Sequence, residues 1–126
     1  MPTFDVVDQT YLVAHPARVR AMVGTPSTWP AWWSGWLLTV TEDRGDSGVR
    51  WLVSRPVEGT MELWLERLPE GTLVHLFLRA EPPTGTSRLG RRPARFTADL
   101  SRQWKAQMWA LKDVLEAGRP SGQPPR

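Results

Sequence analysis

Residues 61–79 contain two runs of alternating apolar and polar side chains, and this pattern constrains the fold more than any other part of the chain. Alternation is typical of strands with one buried face, so the runs flanking Pro69-Glu70-Gly71 predict an antiparallel hairpin. A two-residue loop at Glu70-Gly71 pairs Leu65 with Leu76, Leu63 with Leu78 and Met61 with Ala80 on one face. On the other face it pairs Glu66 with His75, Trp64 with Phe77 and Glu62 with Arg79. The apolar face needs a cover, and what covers it decides the function.

The composition limits the chain to one small domain and few kinds of chemistry. A chain of 126 residues buries about two thirds of its unfolded surface, which suits a single core. It has no cysteine and only two histidines, which excludes a Cys-based zinc site and makes an all-histidine site implausible. We therefore expect no metal and no cofactor. The chain lacks a signal-peptide pattern and a run of about 20 apolar residues, so we expect a soluble, cytoplasmic protein.

The residues before the hairpin predict three further strands and two short helices. Loose alternation predicts a strand at residues 4–13. Pro16 then suits the first turn of a helix at residues 17–23, which Gly24 ends. A second short helix is expected at residues 26–35 with Thr25 as its cap. Strands follow at residues 36–42 and 49–54, separated by the turn formers of residues 43–48.

The last predicted element is a long amphipathic helix at residues 93–117. Its apolar residues recur every three or four positions and form one stripe, which consists of Phe96, Leu100, Trp104, Met108, Leu111 and Leu115. Gly118 is a suitable C-terminal stop, and residues 119–126 contain too few apolar side chains to fold. We expect one α+β domain over residues 1–118 and a disordered tail over residues 119–126.

The order of these elements resembles that of the START-like (SRPBCC) superfamily, and within it the actinobacterial "polyketide cyclase/dehydrase and lipid transport" proteins. The likeness is carried by Tyr11-Leu-Val-Ala-His-Pro-Ala-Arg-Val19, by Trp29-Pro-Ala-Trp-Trp33 and by Glu70-Gly-Thr-Leu-Val74. The resemblance implies a helix-grip fold, in which a curved antiparallel sheet wraps the long helix. Family members usually have seven strands, whereas this sequence predicts five. The resemblance also implies a cavity for an apolar ligand between sheet and helix.

The predicted ligand-binding residues are the apolar side chains that the sheet and the helix turn toward each other. They are Trp33, Trp51, Met61, Leu63, Leu65, Leu76, Leu78, Leu100, Trp104, Met108 and Leu111. Tryptophan and methionine suit adaptable apolar pockets. The same spacing is also typical of a filled core, and this alternative stays open.

The other face of the hairpin predicts a surface rather than a catalytic site. Glu66–His75 and Glu62–Arg79 are interpreted as solvated cross-strand ion pairs. Three apolar side chains near these pairs, Leu52, Trp64 and Phe77, form a candidate contact patch. A homodimer that uses this patch is one hypothesis, and partial cover by the neighbouring charged stems is the alternative.

Two further segments are candidates for the entrance to the cavity. Trp29, Trp32, Trp33 and Trp36 form the densest aromatic cluster, which should anchor the second short helix and leave one or two rings at the cavity mouth. The resemblance makes residues 85–92 a candidate gate. Arg88, Arg91, Arg92 and Arg95 could contact an anionic membrane transiently, or belong to a solvated loop. Nucleic-acid binding is not expected, because the basic residues do not interleave with exposed aromatic ones.

Three functions remain open. The first is non-catalytic binding, transport or sequestration of a small apolar or lipid-like ligand. The second is an aromatase/cyclase-type enzyme acting on a polyketide-like substrate, which would need acid–base groups on the inward face. The sequence shows no cluster of such groups there. The third is an interaction module with a filled core.

Overall fold

The structure is a five-stranded sheet with one long helix across it. A computed structural model of the chain describes residues 2–26, 28, 32–83 and 93–116. Its elements are β1 (Phe4–Leu12), α1 (Pro16–Val23), β2 (Leu37–Asp43), β3 (Gly48–Arg55), β4 (Glu58–Leu68), β5 (Gly71–Glu81) and α2 (Pro93–Glu116). The predicted α+β class, the five strands and the long C-terminal helix are confirmed. The second predicted helix lies partly outside the described residues, and the predicted tail lies wholly outside them.

All neighbouring strands of the sheet are antiparallel, in the order β1-β5-β4-β3-β2. In the predicted hairpin, Met61, Leu63 and Leu65 share one buried face with Leu76 and Leu78, as expected. The predicted register is wrong by two residues. The observed partners are Leu65 with Val74, Leu63 with Leu76 and Met61 with Leu78, and the loop is Pro69-Glu70. A shift by two leaves every side chain on its predicted face, so the alternation alone could not detect it.

Gly71 explains where the loop lies. It pairs with Leu68 at the start of β5 instead of forming the turn. A Cβ at this position would lie 2.3 Å from the carbonyl oxygen of Leu12 and 2.8 Å from the hydroxyl of Tyr11. The glycine therefore allows β1 to approach β5 closely, and proline at the first loop position supplies a backbone φ that suits a turn.

The core lies between the sheet and α2. Helix and sheet meet at β1, where the rings of Phe4 and Phe96 have centroids 4.8 Å apart. Every predicted inward residue of the helix from Leu100 to Leu115 is buried. In the described part of the chain, no helix is long and apolar enough to span a membrane.

Arg20 joins α1 to the turn between β2 and β3. Its guanidinium donates to the Asp43 carboxylate at 3.0 Å and to the carbonyl oxygens of Gly24, Gly45 and Gly48. The hydrogen bond that Arg20 donates to Asp43, together with one from the backbone N–H of Gly45, lowers the pKa of Asp43 below its ordinary value. The contact fixes α1 against the end of the sheet.

Candidate functional site

A tight turn shapes the chain between α1 and β2. The backbone N–H of Trp36 donates to the carbonyl of Trp33 at 3.1 Å, and Gly35 between them has φ +82°. This is the arrangement of a type II turn, whose third position favours glycine. The turn brings the rings of Trp33 and Trp36 into edge contact, with centroids 5.1 Å apart.

The turn packs its tryptophans against α2. Trp33 stacks on Trp104 with centroids 5.6 Å apart and an interplanar angle of 18°, and Trp32 lies 5.5 Å from the same ring. Trp33 and Trp104 are buried, whereas Trp32 and Trp36 are half-buried against the core. Offset and tilted aromatic contacts of this kind add about 0.5–1.5 kcal/mol each beyond the area they bury.

A polar network behind Trp104 was not predicted from the sequence. The Trp104 Nε1–H donates to Asp8 Oδ2 at 3.0 Å, and Lys105 Nζ lies 3.0 Å from Asp8 Oδ1. Thr10 also donates to Asp8, at 3.1 Å, and accepts from Lys105 at 2.8 Å. Asp8 and Thr10 share the inward side of β1 with Phe4, so the alternation of β1 was the signal that could have located them.

Two adjoining pockets flank the turn and share Trp33, Ser34 and Trp36. The first, of about 140 Å³, is also lined by Trp32 and by Leu100, Gln103, Trp104 and Gln107 of α2. The second, of about 350 Å³ and open to solvent, is also lined by Pro26, Gly35, Leu37 and Leu38. We call the two pockets together the tryptophan groove. Its larger part lies within the range of about 300–1,000 Å³ that is usual for small-molecule sites.

The eleven predicted ligand-binding residues are all buried, with 0–8% of their surface exposed. Only Trp33, Leu100 and Trp104 among them line the tryptophan groove. The other eight, Trp51, Met61, Leu63, Leu65, Leu76, Leu78, Met108 and Leu111, belong to the packed core cluster. These eight line neither pocket of the groove. Whether any of the eleven contacts a ligand stays a prediction.

The outer sheet face carries a stack of three rings. His75 stacks on Trp64 at 4.2 Å and lies parallel to Phe77 at 6.0 Å, so it separates the two rings that were predicted to pair. The predicted contact with Glu66 exists, with 2.9 Å between His75 Nε2 and Glu66 Oε1. The Glu66 side chain is 38% exposed but His75 is only 4% exposed, so the contact is solvated on its carboxylate side only and not throughout as expected. The imidazole of His75 is covered by the rings of Trp64 and Phe77 and by Gln9, whose side-chain amide nitrogen lies 3.2 Å from His75 Nδ1.

The predicted Glu62–Arg79 ion pair is wrong. The register places Phe77 opposite Glu62 and Thr60 opposite Arg79. Glu62 instead accepts from Arg44 at 2.7 Å, while Arg79 lies 4.0 Å from Asp5.

The predicted entrance segments are only partly described. Trp29, the candidate gate at residues 85–92, and Arg88, Arg91 and Arg92 lie outside the described residues. Arg95 is exposed on the first turn of α2, 4.0 Å from Asp99. Across the described ranges, no group of three or more His, Asp or Glu side chains could hold a metal ion.

Comparison with solved structures finds the same architecture. The Aha1 dimer from Colwellia psychrerythraea matches with a TM-score of 0.64 and 16% identity, over 92% of this chain and 98% of that chain. The AHSA1-like protein RHE_CH02687 from Rhizobium etli matches with a TM-score of 0.60 and 18% identity, over 95% of this chain and 86% of that chain. The chain has their helix-grip fold. This is the fold that the START-like resemblance implied, and the more specific actinobacterial group stays a prediction.

A third solved structure shares this fold. DynU16, a protein of the dynemicin biosynthetic locus, matches with a TM-score of 0.56 and 17% identity over 93% of this chain. The match covers 49% of that chain, so this helix-grip domain spans about half of DynU16. No protein-family model and no curated protein matches the sequence.

Proposed function

We propose that the protein binds a small apolar or lipid-like ligand without transforming it, and that the ligand lies in the tryptophan groove. The observation that carries the proposal is the open pocket of about 350 Å³ beside Trp33, Trp36, Leu37 and Leu38. Burying about 200 Å² of apolar ligand surface there would contribute roughly 5 kcal/mol before the costs of association. Such a site suits transient transport or sequestration of its ligand.

The lining of the groove favours binding over the cyclase alternative. Among the described residues, none that lines either pocket carries a titratable side chain. The inward carboxylate behind the groove belongs to Asp8, which accepts hydrogen bonds from Trp104, Lys105 and Thr10. Acid–base catalysis needs a group within hydrogen-bonding reach of the reacting atoms. The cyclase alternative would therefore require a contribution from outside the described lining.

Indole is a suitable probe for the groove, because it is flat, uncharged and soluble. The experiment is a titration of ¹⁵N-labelled protein, in which the indole N–H signals of the tryptophans report the site. We expect saturable shifts at Trp33 and Trp36 and about tenfold weaker binding for Trp36→Ala. Trp109→Ala is the matched control, because Trp109 is exposed on α2 and lines neither pocket. Saturable binding that Trp36→Ala leaves unchanged, or no saturable shift at all, contradicts the proposal.

The outer sheet face favours a second proposal, self-association. Its candidate patch is Leu52, Trp64 and Phe77, and Leu52 is 46% and Trp64 38% exposed. Arg50 and Arg79 line a shallow pocket with Trp64 and Phe77, and aromatic side chains and arginine are the residues enriched at protein interfaces. The matched protein from Colwellia psychrerythraea is described as a dimer, which is compatible with this proposal.

Sedimentation equilibrium tests the self-association proposal. We expect a wild-type dimer and a Trp64→Glu monomer, because the substitution removes the largest apolar side chain of the patch. Trp109→Glu introduces the same charge on α2 and should leave the dimer intact. A monomeric wild-type protein, or a dimer that survives Trp64→Glu, contradicts the proposal.

A further inference from the structure

The tryptophan groove has a polar end made by α2. Gln103 and Gln107 lie four residues apart and therefore on one side of the helix, next to Leu100 and Trp104. Neither amide forms a hydrogen bond with another described residue, and Ser34 faces them from the turn. Each glutamine can donate and accept hydrogen bonds.

Two of the four tryptophans that line this pocket already donate their indole N–H groups within the protein. Trp104 donates its Nε1–H to Asp8 at 3.0 Å, and Trp32 donates its Nε1–H to the carbonyl of Met22 at 3.1 Å. Both tryptophans therefore offer a ligand their ring faces and not their N–H groups. The glutamine amides and the serine hydroxyl are available to form hydrogen bonds with a ligand at this end.

The part of the polar end that the structure describes carries no charge. No Asp, Glu, Lys or Arg is among the described residues that line either pocket. Lys105, the cation next to Trp104 in the sequence, binds Asp8, the carbonyl of Gln9 and Thr10 on β1. A carboxylate in the groove would lose part of its hydration without gaining a cation, whereas an amide, carbonyl or hydroxyl would keep its hydrogen bonds.

We propose that the groove selects an uncharged ligand with an apolar body and one polar end, and that Gln103 and Gln107 recognise this end. The inference rests on the proposed ligand-binding function and specifies its ligand class. Uncharged and anionic ligands of the same shape should therefore bind with different affinities.

Two isosteric probes separate charge from shape. Naphthalene-2-carboxamide and naphthalene-2-carboxylate have the same outline, and isothermal titration calorimetry at pH 7 gives both affinities. We expect the carboxamide to bind about tenfold more tightly to the wild-type protein. Gln107→Arg supplies a cation and should reverse the preference, while Ala106→Arg adds the same charge off the groove and should not. A Gln103→Leu, Gln107→Leu double variant should lose most of the carboxamide's advantage.

The outcomes distinguish the inference from the function on which it rests. Equal affinities of the wild-type protein for the two probes, or a preference that Gln107→Arg and Ala106→Arg change alike, would overturn the inference while leaving ligand binding intact. If neither probe nor indole binds, the proposed function itself fails. Circular dichroism of each variant verifies that it is folded before its affinity is compared.

Discussion

Replacing Asp8 by leucine should destabilise the protein by breaking the network behind Trp104. Asp8→Leu removes the acceptor of the Trp104 Nε1–H, and Trp104 is only 3% exposed. A buried donor left without a partner costs about 1–3 kcal/mol. The lost pair with Lys105, whose side chain is 37% exposed, adds only about 0.2–1 kcal/mol. We therefore expect the free energy of unfolding to fall by about 1–4 kcal/mol, with a central value of about 2.5 kcal/mol.

Urea unfolding followed by far-ultraviolet circular dichroism measures this loss without relying on tryptophan emission. With a slope of about 1.5 kcal/mol per molar urea, the midpoint should fall by about 1.5 M. Asp8→Asn keeps an oxygen that can accept from Trp104, so its loss should be about half as large. Asp113→Leu is the control, because Asp113 is exposed on α2 and its replacement should change the free energy of unfolding by less than about 0.5 kcal/mol.

A double-mutant cycle isolates the hydrogen bond itself. Trp104→Phe removes the donor and keeps an aromatic ring, so Asp8→Leu should cost about 1–2 kcal/mol less in that background. If the two losses simply add, Asp8 does not act through the Trp104 indole and the reasoning is refuted.

Three other changes test separate features of the fold. Gly71→Ala should lower the free energy of unfolding, measured in urea, by about 2–4 kcal/mol, because its Cβ would lie 2.3 Å from the Leu12 carbonyl oxygen. A loss below about 1 kcal/mol would contradict the close approach of β1 to Gly71. Hydrogen bonds from the hydroxyl and backbone N–H of Thr3 lower the pKa of Glu81, so its contribution to stability is present above its ordinary pKa of 4.5 and is lost as the pH falls below that value. Glu81→Gln should flatten the acid limb of a pH-dependent thermal unfolding series, and an unchanged limb would refute this. Gly35→Ala should strain a backbone at φ +82° by about 1–2 kcal/mol and weaken indole binding, whereas unaltered binding would exclude a role for the turn.

The positions of the strands and helices followed from local patterns in the sequence. Alternation in residues 61–79 and the three-to-four spacing of α2 each indicate one buried face. A small error in where an element begins or ends does not change which face is buried. The predicted strand ends therefore differ from the observed ones by only a few residues. Helix α2 is described as far as Glu116, and its predicted end at residue 117 lies outside the described residues.

The register and the contacts of charged groups did not follow from the same patterns. A loop at Glu70-Gly71 and a loop at Pro69-Glu70 give identical faces, and only the approach of β1 to Gly71 distinguishes them. Glu62 binds Arg44 instead of Arg79. Arg44 lies in the turn between β2 and β3, 18 positions away in the sequence, so the pattern of the hairpin could not indicate it. Such choices depend on the three-dimensional assembly.

The candidate site was predicted in outline and missed in detail. The cluster of tryptophans at residues 32–36 indicated the right region, because aromatic density is visible in composition. The polar side of the groove was missed, because nothing in the sequence distinguishes Gln103 and Gln107 from other glutamines on a helix. Only the fold places the turn at Gly35 beside them. Asp8 was missed because a single carboxylate within a loosely alternating strand gives a weak signal.

The position of β1 at one edge of the sheet also sets an order of events during synthesis. Within the described sheet, β1 pairs only with β5, and the contact of Thr3 with Glu81 spans 78 positions of the chain. β4 and β5 are joined by two residues, so their hairpin can close quickly, whereas β1 must wait for most of the chain. Until then its apolar side chains, Phe4, Val6 and Leu12, have no sheet to cover them. Of the five strands, the one that the ribosome makes first should therefore be the last to join the sheet.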